Sequence, residues 1–223
     1  MSSPSNRKIA LAMTGASGAI YGLRLLEVLL SFDTVETHLI VTPSGAEIIR
    51  LETGREVSAD VFRPESLGIE GADRLRFHRY DWLSSPLASG SFPLDAVVIA
   101  PCSMACVSAV AAGASRNLVE RAADVAIKER RALILVPRET PLSVIHLDNL
   151  HKLASAGAVV MPACPGFYGR PAKVSDLVDF VVARILDHLR LPHSIGPRWT
   201  GAERGCLESQ PGGMPDSAEM ARR

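Results

Sequence analysis

No stretch of the 223 residues reaches the roughly 20 consecutive apolar positions that span a bilayer. The opening MSSPSNRK also lacks the continuous apolar segment of a secretory signal, so no membrane partner is expected and a cytoplasmic location is. Charge excess is missing as well. Lys plus Arg and Asp plus Glu stand at 24 each, so nothing draws the whole chain to nucleic acid, and any basic site has to be local. Cysteine is scarce: Cys102, Cys106, Cys164 and Cys206 show no paired CxxC spacing, which favours reduced thiols over disulfides or zinc. The six histidines miss the HxxxH spacing of a helical metal site, and no protein-bound metal is expected.

What is present is ordinary globular material, 47% hydrophobic and 22% charged, enough for one substantial core. Continuous apolar runs recur as KIALAMT (8–14), THLIVT (37–42), DAVVIAP (95–101), ALILVP (132–137) and AVVMPA (158–163). Such runs suit strands buried on both faces. Helical patterns lie between them. Ile20, Leu23, Leu26 and Leu30 share one face; Leu142, Ile145, Leu150 and Leu153 approximate another; LVDFVVARILDHL (177–189) is a third helix. The alternation predicts an α/β protein with an open, mainly parallel sheet between two helical layers, in one domain over residues 1–199. The segment from about 53 to 94 reads as an irregular functional insert. Residues 200–223, polar and rich in turn formers, read as a flexible tail.

In such sheets ligands gather at the carboxyl ends of the strands, where helix N-termini present unpaired N–H groups. Here TGASG follows the first strand, Thr42 ends the second, PCS follows the third and RETP the fourth. Ser17, Ser103 and Thr140 each suit an N-cap, with Pro141 in the first turn after Thr140. Capping alone would explain any one of them; three such ends in one sheet favour a shared anion site. The first loop, Gly15-Ala-Ser-Gly18-Ala-Ile-Tyr-Gly22, departs from GxGxxG and lacks the Gly-Lys-Ser/Thr of a P-loop. Arg121 and Lys128, seven apart, point the same way on a helix. Glu120, Glu129 and Arg131 read as its solvated face. Arg138 and Glu139 leave a strand at the ligand end, where the arginine suits a phosphate and the glutamate an acid or base. Tyr168 in PGFYGRP and Trp82 in YDWLSSPL read either as loop and core aromatics or as apolar walls of a site.

Taken in order, TGASGAIYGLRLL, LET, ASGS, PCS, ERAADVAIKERR, LVPRETP, PGFYGRP and DLVDFVVARIL resemble the flavin prenyltransferases, the UbiX-type family, over residues 8–199. The resemblance implies a flavodoxin-like, Rossmann-like three-layer sandwich and a homo-oligomer, usually dodecameric, with active sites at subunit junctions. It implies transfer of a dimethylallyl group from dimethylallyl monophosphate to N5 and C6 of reduced FMN. The product, prenylated FMN, serves a UbiD-type decarboxylase. Carried over by motif, Gly15, Ala16, Ser17, Thr42, Ser103, Met104, Ala105, Cys106 and Arg138 would hold FMN. Trp82, Arg121, Lys128, Glu139, Tyr168 and Arg184 would meet the prenyl phosphate. Ser17, Glu52 and Glu139 would be catalytic. The Asp-rich DDxxD magnesium site of diphosphate-dependent prenyltransferases has no counterpart here. Two alternatives stand beside this reading: an FMN carrier for a partner decarboxylase, and a flavin-dependent cysteine decarboxylase, whose PASANT and PxMNxxMW stretches are missing.

Overall fold

The structure, a computed structural model, describes residues 6–196 and Arg198; the expected tail at 200–223 lies outside the described residues. Four of the apolar runs form the strands β1 (Arg7–Met13), β2 (Val35–Val41), β4 (Ala96–Cys102) and β5 (Ala132–Pro137). Two shorter strands, β3 (Arg76–Arg79) and β6 (Val159–Val160), close the edges. The sheet order is β3-β2-β1-β4-β5-β6, and each neighbouring pair is parallel. Without the four-residue β3 the remaining order is that of a flavodoxin-type sheet.

Side chains alternate across each strand, so each buries two faces. On one side Ile9, Leu11 and Met13 meet α1 (Ala19–Leu30), α2 (Pro43–Thr53) and α6 (Val174–Leu189) through Leu26, Ile49 and Ile185. On the other, Ala10, Ala12 and Ile99 meet α3 (Met104–Ala111), α4 (Leu118–Lys128) and α5 (Val144–Ser155) through Val107, Ala122 and Leu153. Burial on both faces is why the strand sequences run apolar without alternation.

Three expectations need correction. The 53–94 segment is not merely an irregular insert, because it supplies β3, whose residues pair with His38–Val41 of β2. The fifth run shrinks to the two residues of β6, half-buried beside Ile134 and Leu135. In α5 only Leu150 and Leu153 of the anticipated face are buried; Ile145 is 70% exposed and Leu142, before the helix, 39%.

The β2–β3 pairing buries two histidines. His38 Nδ1 lies 2.9 Å from His78 Nε2, and His78 Nδ1 lies 2.8 Å from Ser85 Oγ. Burial, then the neighbouring His78, pushes His38 down to about 4; burial and Arg76 also lower His78. The folded state therefore holds fewer protons than the unfolded chain between the usual histidine value near 6.5 and about 4. Stability is full above that window and is lost as pH falls through it, on the order of 2 kcal/mol for His38. Urea unfolding of His38→Gln is expected to show a shallower loss between those pH values than the native chain. Equal slopes would exclude His38 as the source.

Candidate active site

The chain leaves β1 for β2 on one side and later returns to place β4 on the other, so the topological switch point lies between β1 and β4. Ligand crevices form outside the carboxyl ends at such a point. Here the two ends are tied by Thr14, a buried residue that sequence reasoning passed over; its only signal was a place directly before GASG. Its Oγ1 donates to the Pro101 carbonyl (2.9 Å) and accepts from the Ser103 N–H (2.8 Å).

The first loop then runs against α2. A Cβ on Gly15 would lie 2.6 Å from Ser44 Cβ and Oγ, so the approach requires glycine. Thr42 caps α2, accepting from Gly45 N (3.0 Å), and Ser103 caps α3, accepting from Cys106 N (3.3 Å). Asn117 caps α4 through Glu120 N (3.0 Å). All three caps line one cleft of about 380 Å³, with Thr14, Ser44, Ala105 and Cys106. Neither α2 nor α3 carries an acidic residue in its first turn, so two positive helix ends face this space.

The start of α1 is organised differently from the expectation. Its N-cap is Gly18, at φ 109°, and Ser17 makes no capping bond. Glu52, from the last turn of α2, takes that role: its carboxylate accepts from Gly18 N (3.0 Å) and Ala19 N (2.8 Å). The positive end of α1 is thus satisfied by the chain's own anion, which leaves the α2 and α3 ends for a ligand phosphate. Arg138 Nε donates to the Ser17 carbonyl (3.2 Å). Ser17, Glu52 and Arg138 therefore meet at one loop. Glu139 follows Arg138 at the surface, its Oε1 accepting from Thr140 N (3.1 Å).

Other candidates fall out differently. Ala16 and Met104 are buried, at 5% and 7% exposure, and Met104 packs in the core beneath α3 instead of lining the cleft. Thr140 caps nothing; Ser143 begins α5 with a capping box to His146. Glu120 is not solvated. It is 5% exposed at the cleft, its carboxylate accepting from Arg116 N (2.9 Å), Nε (3.2 Å) and Nη2 (2.9 Å) and from Asn117 Nδ2 (3.0 Å). Burial opposes its ionisation, yet these bonds, those of Arg116 foremost, hold the carboxyl below its usual range. Nor does Arg131 face solvent: it donates to the Phe92 (2.7 Å) and Gly90 (2.6 Å) carbonyls. Glu129 is engaged by Lys128. Beside the cleft, the hydrogen bond that the Cys102 thiol makes to Cys106, then complete burial, raises Cys102 well above its usual range, so it stays protonated.

The cationic residues expected around a prenyl phosphate do not converge within one chain. Arg121 is held by the Ala88 carbonyl (3.1 Å) and Asp124 (2.8 Å), and Arg184 by Asp187 (2.8 Å). Among the described residues none of Arg121, Lys128 and Arg184 is hydrogen-bonded to Arg138 or Glu139. Lys128 ends α4 just before β5 begins, whereas Arg138 follows the other end of β5. A six-residue strand separates them by roughly 20 Å. Tyr168, half exposed, packs edge-on against Phe180 at 5.6 Å. Trp82 stacks on His78 at 5.8 Å.

With this geometry the chain can be placed among known proteins. The Flavoprotein family model matches residues 2–186. The flavin prenyltransferase UbiX of Pseudomonas aeruginosa is 50% identical over 204 residues, covering 89% of this chain and 96% of that protein. The chain belongs to the UbiX flavin prenyltransferase family. Among solved UbiX structures, AnUbiX (PadA1) in complex with FMN and dimethylallyl pyrophosphate superposes with a TM-score of 0.79 at 38% identity, over 89% of this chain and all of that one. A dodecameric FMN-dependent UbiX-like decarboxylase from Escherichia coli O157:H7 gives 0.78 at 39%, over 87% of this chain and all of the other. The sheet and its flanking helices are thus those of the UbiX fold.

Proposed function

We propose that this chain transfers a dimethylallyl group from dimethylallyl monophosphate to N5 and C6 of reduced FMN, releasing phosphate and prenylated FMN. The observation that carries the reading is the convergence of Thr42, Ser103 and Asn117, three helix caps, on one cleft whose Ser44 packs against Gly15, in the loop that Glu52 and Arg138 hold. A site with two uncompensated helix ends suits a flavin phosphate, and the close approach at Gly15 leaves backbone, not side chains, facing it. Gly15, Ala16, Ser17, Thr42, Ser103, Ala105, Cys106 and Arg138 would hold the FMN, with Met104 contributing backbone alone. When bound, reduced FMN supplies the nucleophilic ring atoms.

The protein's own groups do the rest. Arg121, Lys128 and Arg184 neutralise the departing phosphate, and the Tyr168 hydroxyl donates a hydrogen bond to it. Glu139 hands that phosphate a proton or shares one with it. Ser17 Oγ and the Glu52 carboxylate carry away the proton released as the new ring closes. Trp82 walls the allyl group, where an aromatic face steadies developing positive charge. Since a strand length separates Lys128 from Arg138 and Glu139 in one protomer, neighbouring copies complete the prenyl half. The dodecameric relative supports that arrangement, and so do the exposed Val144, Ile145, Leu147 and Phe167. The product is suited to a UbiD-type decarboxylase.

Phosphate release tests the proposal: under anaerobic conditions it is expected only when protein, reduced FMN and dimethylallyl monophosphate are all present. Release that does not depend on flavin would refute prenyl transfer to FMN. Because arginine and lysine perform the neutralisation that magnesium performs for diphosphate donors, excess EDTA is expected to leave the rate unchanged. A collapse reversed by magnesium would overturn this.

A further inference from the structure

We propose that His78 is a positioning residue for Trp82, fixing the 80–85 loop and the indole in the orientation that walls the prenyl donor. The inference rests on the reading of Trp82 as part of that wall. β3 ends at Arg79, and the chain turns at once: Trp82 N donates to Arg79 O and Ser85 N to Trp82 O, both at 3.1 Å. The turn leaves Trp82 45% exposed. Its ring partner is the His78 imidazole, centroids 5.8 Å apart and planes 18° from parallel.

The same imidazole grips the far end of the loop. His78 Nδ1 lies 2.8 Å from Ser85 Oγ, and that oxygen also accepts from Leu87 N (3.3 Å). His78 is locked from behind as well. Its Nε2 meets His38 Nδ1 at 2.9 Å, the edge of Phe92 stands against the His38 ring at 5.5 Å, and Glu36 Oε1 lies 3.2 Å from His38 Nε2. One set of tautomers serves both hydrogen bonds: Ser85 O–H donates to His78 Nδ1 and His78 Nε2–H to His38 Nδ1, while His38 Nε2, buried without a hydrogen bond of its own, lies near the Glu36 carboxylate. The reverse set would leave a bare nitrogen facing a carboxylate. The His78 ring is thus held at both nitrogens, by Ser85 on one side and His38 on the other.

The arrangement has a chemical consequence for Trp82. Burial keeps both imidazoles neutral at ordinary pH, so His78 supports the indole without placing a cation against it. The indole's electron density stays free for a cationic allyl group, which a protonated platform would compete for.

The test uses the full-length chain with Trp199→Phe, which makes Trp82 the sole tryptophan. His78→Ala is expected to shift Trp82 emission to the red and raise the KM for dimethylallyl monophosphate about tenfold. FMN affinity should stay within about twofold. His78→Phe, which restores a flat ring without the hydrogen bonds, should recover part of the KM loss. Native emission and donor KM in a folded His78→Ala would overturn the proposal. Should that variant not fold, Ser85→Ala decides: a smaller red shift with a KM rise of about threefold supports it, and unchanged values refute it. Trp82→Ala separates the role of the indole from that of His78. If that substitution itself leaves donor KM unchanged, the reading of Trp82 fails, while the emission spectra still report whether His78 holds the indole.

Discussion

Glu139→Gln is expected to lower turnover on the order of a hundredfold while FMN affinity stays within about twofold. The asymmetry follows from what the substitution keeps. Glutamine retains an oxygen to accept the Thr140 N–H, now bonded at 3.1 Å, so the loop after β5 holds its shape and Arg138 stays on the Ser17 carbonyl. What disappears is a proton to hand to the departing phosphate. Removing the carboxylate also relieves its repulsion of a doubly charged phosphate, so the donor KM should stay level or fall as kcat drops. Steady-state kinetics with dimethylallyl monophosphate, paired with an FMN titration, separates the two. Equal losses of turnover and FMN affinity would make Glu139 a binding or structural residue instead.

The second large effect is on folding. Gly22→Ala in α1 would ordinarily stabilise a helix interior by roughly 0.5–1 kcal/mol. Here the added Cβ would overlap the Ala100 carbonyl oxygen and lie 2.7 Å from Met13 Cε. A backbone carbonyl in the central strand β4 cannot step aside as a flexible side chain would, so the clash outweighs the propensity gain. A net loss of about 1–3 kcal/mol is expected from overpacking of this kind. Because relief comes from α1 moving away from the switch point, FMN affinity should fall with it as Gly18 and Ala19 leave Glu52. Urea unfolding gives the first quantity and an FMN titration the second. A stability equal to or above that of the native chain would contradict the packing described here.

How far the sequence could be read depended on the range of the interactions involved. β1, β2, β4 and β5 were legible because burial on both faces writes itself as an unbroken apolar run. β3, RFHR, was not, since as an edge strand it buries only His78 and carries three partly or fully exposed residues. Ser103 announced itself as a cap because it bonds an N–H three residues on, whereas Thr42, which does the same for α2, read only as the end of a strand. At α1 the local pattern misled: the capping group is Glu52, 33 residues beyond Ala19. Glu120 looked like one more charge on a helix facing water, yet local bonds from Arg116 and Asn117 let it sit buried at the cleft. Arg121, Lys128 and Arg184 illustrate a different limit. Their part in the proposed site depends on contacts between copies, which no intrachain pattern records.

The central claim is that this protein alkylates the flavin it holds and does not merely carry it. The most direct measurement is the mass of the flavin freed by denaturing the full-length protein after anaerobic incubation with reduced FMN and dimethylallyl monophosphate. A flavin heavier by one dimethylallyl unit is the expected result. Flavin recovered at the mass of FMN, from protein that binds FMN and the donor normally, would contradict the account and make the chain an FMN carrier.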